Sequence, residues 1–315
     1  MKITFRQELD YFFHSRMFIV IFALALTVTV FGALQGLNER TVAISEFNDV
    51  RIHAYSSQQE FLSDLKKPYK ITEETDGTDQ VKTSVDNAAS YMFSNVVTSK
   101  AQLGPVGFPI YVLKTMGMIF LPVIAAVVAI MMGTYDFKYG TLKRKLGTSS
   151  WRAIILGKVL AIAVITAGFY LSVSLISMIS CLILPNFAAP FDLSKYGNLT
   201  VTYSISELLS TISITFFVGL IFALIMGSLG LLIKNSTVVI VPLFLFYFAV
   251  PNLGAYDLRN GMLALLSTVG KNLVAQPTPF FPVSTSQAVA VVLAWLALVL
   301  IISFGFLYKF LRYKL

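Results

Sequence analysis

Charge is the scarcest feature of this 315-residue chain. Only 13% of its residues are Asp, Glu, Lys or Arg, and its mean hydropathy is +0.76. Soluble domains carry nearly twice that share, because a water-facing surface needs many charged side chains. A single cysteine, Cys181, excludes any intrachain disulfide and reads as a small buried residue. The two histidines, His14 and His53, flank the first long apolar run, which puts them on opposite sides of a membrane and rules out a shared metal site.

Catalytic signatures are missing as well. The chain has no G-x-x-x-x-G-K-[ST], since Gly157-Lys158 is followed by Val159 and no glycine stands at the required spacing before it. H-E-x-x-H, C-x-x-C and G-x-S-x-G are also absent. The long apolar runs hold no Asp or Glu in their interiors, which argues against a proton- or ion-coupled transporter, a charged channel filter or an intramembrane hydrolase. Lys114, Lys158 and Glu207 fall near the ends of runs, where snorkelling or headgroup contact accounts for them.

What the chain does have is hydrocarbon. A bilayer core needs roughly 20 apolar residues per helix, and six such runs occur, at 17–37, 110–133, 153–184, 207–233, 237–256 and 288–308. Pro242 and Pro251 are expected to kink the fifth. With both ends in the cytosol, most basic residues fall inside, among them Lys138, Lys143, Arg144, Lys145 and Lys158, against only Glu8, Asp10 and Asp136. Every short loop then obeys the positive-inside rule, so the net charge of +8 reads as topology and lipid contact rather than nucleic-acid binding. The expected fold is an all-α polytopic membrane protein with six transmembrane helices and cytosolic termini.

Three flanking segments complete that reading. At helical spacing Phe5, Leu9, Phe12 and Phe13 share a face opposite Gln7, Asp10 and His14, which predicts an interfacial N-terminal helix. Residues 38–109 form an external cap insertion with mixed helical spacing in FLSDLKKPY and VDNAASYMFSNVVTS; TEETDGTDQ is too polar for a core, and GPVGFP marks the return into the membrane. Between the fifth and sixth runs, Leu258, Met262, Leu265, Leu266, Val269 and Leu273 recur at helical spacing. That is either a helix dipping into the outer leaflet or a surface helix on the bundle. Gly219, Gly227, Gly230 and GALQG support close helix packing. Asn198-Leu-Thr and Asn235-Ser-Thr match the glycosylation pattern, but Asn235 falls on the inner side.

The inner loop at 134–152 is the most specific stretch. In YDFKYGTLKRKLGTSSWRAIILGKVLA, Gly140 permits a tight bend, and Thr148, Ser149 or Ser150 can cap the following helix. Leu142 and Leu146, four apart, present an apolar stripe, while Lys143, Arg144 and Lys145 can meet acidic groups or phospholipid. The segment resembles the cytosolic loop between the second and third spans of ABC type-2 export permeases. That family shows an acid, Gly-Thr-Leu/Ile-Lys/Arg, a leucine, a turn, Ser-Arg and then Gly/Ser-Lys; Asp136, Gly140, Thr141, Leu142, Lys143, Leu146, Gly157 and Lys158 fit. Asp136 stands where Glu is usual, and Trp151 separates Ser150 from Arg152.

The resemblance implies a coupling loop, with Asp136, Gly140, Thr141, Leu142, Lys143, Arg144 and Leu146 docking a separate nucleotide-binding ATPase. It also implies a second permease copy or paralogue, and ATP and Mg²⁺ held by the partner with no cofactor in this chain. The expected activity is transport without catalysis: outward movement of an amphipathic or hydrophobic cargo, a peptide or drug rather than a small ion, across a bacterial plasma membrane. The competing readings are a ligand-sensing or accessory membrane protein and a self-sufficient secondary transporter.

Overall fold

The computed structural model describes residues 2–75, 81–117, 120–197, 199–268 and 279–312. The chain starts with α1 (Lys2–His14) and turns at Arg16, whose φ of 60° places it in the left-handed region. It then enters α2 (Met17–His53). At 1.5 Å per residue the 37 residues of α2 reach about 55 Å, far more than a bilayer core requires. The expected break at residue 38 therefore does not occur. The first membrane helix continues into the cap, where its Ala43 and Phe47 are buried.

The cap is built around that extension. It contains α3 (Gln58–Asp64), a hairpin of β1 (Ile71–Thr75) and β2 (Val81–Val85), and α4 (Ala88–Gln102). The strands are antiparallel, with Ile71 opposite Val85 and Thr75 opposite Val81. The hairpin is a small addition to an otherwise helical membrane protein, and it takes up the polar TEET run. Thr72 and Thr75 bring the β-branching that suits a strand. Phe47 anchors an aromatic cluster with Phe61, Phe93, Phe191 and Tyr196, at ring centroid distances of 5.1–5.7 Å. The loop after the third long helix is thus drawn into the same cap.

Below the cap the chain descends through α5 (Gly107–Thr115) and α6 (Phe120–Lys138). The expected second span is thus two helices, and α5 is buried along nearly its whole length, Lys114 included. That burial replaces the snorkelling expected of Lys114. After the short α7 (Leu142–Leu146), α8 (Trp151–Ser180) and α9 (Ile205–Ile233) run back and forth through the bundle. Ser150 caps α8 by accepting from the Ala153 amide. Glu207 closes a capping box with Ser204 at the start of α9.

Among the described residues, four helices are long and apolar enough to cross a membrane: α2, α6, α8 and α9. Two further apolar stretches are Ser236–Ala249 and Thr285–Leu298, the second being the first half of a 28-residue helix that continues to Arg312. The first of these is α10 (Ser236–Phe244), which carries Pro242 and passes into a π-helical turn, Leu245–Ala249. Helix ends there, before Pro251 and short of the expected boundary at 256, because the residue before a proline is pushed out of the helical region; Val250 is extended. Next come α11 (Leu258–Ser267), with Leu258, Met262 and Leu266 buried, and α12 (Thr285–Arg312). Val269 and Leu273 lie outside the described residues, as does Asn198.

At the centre α6 lies against α9. Gly227 and Gly230 allow the contact: a Cβ on Gly230 would come within 3.1 Å of the Ile130 carbonyl. The outward faces stay apolar, with Leu171, Leu175 and Ile179 of α8, Val238 and Val241 of α10, and Phe248 of the π-helical turn exposed. Apolar side chains facing outward in this number fit a bilayer as the solvent.

Candidate functional site: a buried charge quartet

The N-terminal helix buries one edge of the face its phenylalanines mark, Phe12, together with two polar neighbours. Its inward stripe is Thr4, Glu8 and Phe12, at a spacing of four. Phe5 and Leu9 are half-buried beside it, and Phe13 is exposed. The reason lies in what α1 packs against. Thr4 donates to the Ala153 carbonyl of α8 at 2.8 Å. At Gly157 the two backbones come so close that a Cβ would meet Thr4 Oγ1 at 2.8 Å and the Phe5 amide nitrogen at 3.0 Å. Further along, Glu8 reaches Lys158, and Leu9 and Phe12 share a groove with Ile165 and Phe169. The contacts advance in one direction on both helices, so α1 leans up alongside α8.

Glu8 is the keystone of that packing. Its Oε1 accepts from Lys145 Nζ at 2.5 Å and its Oε2 from Lys158 Nζ at 3.0 Å. Asp136 completes the ring, 2.8 Å from each lysine. All four side chains are at most 4% exposed. Two carboxylates and two ammoniums alternate in a closed circuit with no net charge. The remaining valences are filled too: Lys158 donates to the Met132 carbonyl at 3.0 Å, and Thr141 donates to Asp136 Oδ1 at 2.6 Å. Lys145 lies over the Tyr11 ring at 4.6 Å, and that ring stacks on Tyr135.

Each member arrives on a different element. Glu8 comes from α1, Asp136 from the last turn of α6, Lys145 from α7 and Lys158 from the second turn of α8. Gly140, with φ of 65°, makes the turn that brings α7 back under α6. Burial alone would lower the Lys145 ammonium, but Glu8 and Asp136 outweigh it and hold the group above its ordinary 10.5.

Of the residues expected to dock a partner, Asp136 and Thr141 instead face inward, into the quartet. Leu142 and Leu146 are half-buried, and Lys143 and Arg144 are exposed. Lys145, expected to face acids or phospholipid outside, turns inward. So does Lys158, whose burial replaces the snorkelling expected of it. Glu8, Lys145 and Lys158 are the residues that spacing did not pick out. One signal was available: an acid at the border of the Phe5, Leu9 and Phe12 face is costly to bury unless a cation comes to meet it.

Chemically the quartet is a latch. It has no nucleophile or free base, since every charge is neutralised by a neighbour. Buried ion pairs contribute less to stability than apolar packing of the same volume, because desolvation offsets the attraction. What they do impose is registry, as only one arrangement of α1, α6, α7 and α8 satisfies all four charges. No family model matches the chain, and no curated protein or solved structure does.

Proposed function

We propose that the chain is the membrane-spanning permease subunit of an ATP-binding cassette exporter. It moves an amphipathic or hydrophobic cargo, such as a peptide or drug, outward with ATP hydrolysed by a separate subunit. In this reading the chain has six spans with both ends in the cytosol, and it pairs with a second permease copy or a paralogue in a bacterial plasma membrane.

One observation carries the reading: α7 is two-sided. Lys143 and Arg144 project outward, and Leu142 and Leu146 are partly open, while Lys145 of the same five-residue helix is tied to Glu8 and Asp136. A force applied to the open side of α7 is passed through buried ion pairs to α1 and α6, and from Glu8 and Asp136 to Lys158 of α8. That is the geometry a transport body needs when its motor is a separate protein. The order Gly140-Thr141-Leu142, which resembles that of ABC type-2 permeases, supports the same assignment.

Purification from the native host in mild detergent tests it. A nucleotide-binding subunit is expected to copurify, and its absence from every preparation overturns the proposal. Replacing Leu142 and Leu146 together with Asp is expected to release that subunit while membrane insertion is unchanged. Survival of the complex overturns the docking role of α7.

A further inference from the structure

The largest described cavity lies in the cap, at the far end of α2 from the charge quartet. It is a cleft of about 710 Å³ lined by the 65–69 segment, by α4 and by Tyr196, Gly197 and Leu199. We infer that this cavity is a binding site for a small amphipathic acid, an apolar or aromatic body bearing a single anionic group. The inference does not depend on the permease reading.

The cavity is built rather than incidental. Phe93, 3% exposed, forms its floor with Leu65. The Tyr196 wall is held from two sides: its hydroxyl accepts from Arg51 Nη1 at 2.6 Å, and its ring stacks on Phe191 at 5.5 Å. The opposite wall is pinned to the start of α4. Asn87 Nδ2 donates to the Asp64 and Lys67 carbonyls, and the Lys70 amide donates to Asp86. Gly197 takes a φ of 140°, and a Cβ there would meet nothing within 4 Å. At that point the wall gives way to open space, which makes an entrance.

Charge and polarity select the ligand. Among the described residues, the lining carries Lys66 and Lys67 and no carboxylate. Asp64 accepts from Lys67 at 2.6 Å, and no described residue pairs with Lys66. The lysines stand on the exposed 66–68 edge, with Ser90 and Ser94 on α4 and the apolar floor beyond. A molecule entering apolar end first would bury its body on Phe93, Leu65 and Tyr196 and leave its anion beside Lys66. A neutral body of the same shape would gain the burial but lose the charge-assisted contact.

The test uses the full chain in nanodiscs of zwitterionic lipid, titrated calorimetrically with N-acetyl-phenylalanyl-leucine and with its C-terminal amide. The acid is expected to bind about tenfold more tightly than the amide, the effect of one charge-assisted hydrogen bond. Replacing Lys66 and Lys67 with Gln is expected to erase that preference without weakening the amide. Ser94→Phe, which places a ring in the cavity where the apolar body would lie, is expected to weaken both with an unchanged melting temperature. Repeating the titration in anionic nanodiscs locates the natural source: weaker binding means lipid headgroups compete for the site, and unchanged binding means a soluble acid. Equal affinity for acid and amide, or an acid preference that survives loss of both lysines, overturns the inference.

Discussion

Glu8 and Lys158 stand 150 residues apart and meet at 3.0 Å inside the protein, each excluded from solvent. The pair joins the first helix to the start of the third long membrane helix, in a place where neither charge is tolerated alone. Removing one member leaves an uncompensated buried charge, and that is the expensive event. Glu8→Gln is expected to destabilise the protein by about 3–5 kcal/mol, measured by thermal unfolding in detergent. Adding Lys158→Met should recover part of the loss, because it restores the balance of charge. Strict additivity of the two changes would show that the pair is not energetically engaged.

The approach of α1 to α8 gives a second, purely steric prediction. At Gly157 a methyl group collides with Thr4 and with the Phe5 backbone, which cannot rotate away. Gly157→Ala should therefore cost about 1–3 kcal/mol and speed hydrogen exchange throughout α1. Gly168 lies on the same helix with nothing within 4 Å of its would-be Cβ. Alanine there should be neutral or stabilise by up to about 1 kcal/mol. Equal effects of the two changes would mean that α1 does not sit against α8.

Lys145 predicts an alkaline limit. Its ammonium is held above the ordinary 10.5 by Glu8 and Asp136, so folding favours the charged form. The resulting stability is fully present below pH 10.5 and is lost as the pH rises through the higher folded value. Unfolding followed by circular dichroism should show stability falling above that point. Lys145→Met should be less stable throughout the neutral range and should lack this component of the alkaline fall.

At the other end of the bundle, Arg259 holds the broken helix that follows Pro242. Its guanidinium donates to the carbonyls of Phe246, Val250 and Pro251 and pairs with Asp257 at 2.7 Å. It thereby satisfies backbone acceptors that the early end of the helix exposes. Arg259→Met should cost on the order of 3 kcal/mol and raise hydrogen exchange across 245–257. Lysine should rescue this only partly, because an ammonium cannot fork to several carbonyls at once. Full rescue by lysine would reduce the role of Arg259 to its charge.

Much of the architecture was legible from composition and period. Apolar runs of membrane length locate α2, α6, α8 and α9, because hydrocarbon admits little else and hydropathy alone records it. The turn at Gly140, the cap at Ser150 and the packing glycines of α9 were legible too, since each rests on a local property of a residue type. The end of a helix in water was less so. Nothing in residues 38–53 announces that α2 continues, because its length is set by Phe47 packing on Phe61, Phe93 and Phe191 from later segments.

The charge quartet belongs wholly to the tertiary structure. Sequence alone determined that charges at the inner ends of the spans were few and mostly basic, and local rules assigned Lys145 and Lys158 to the surface. Only the fold decided otherwise. A buried charge is stable when opposite charges arrive from elsewhere in the chain, and the partners of Glu8 lie 137 and 150 residues away. Periodicity reports which face of a helix is apolar; it cannot report which neighbour will neutralise the charge set within that face.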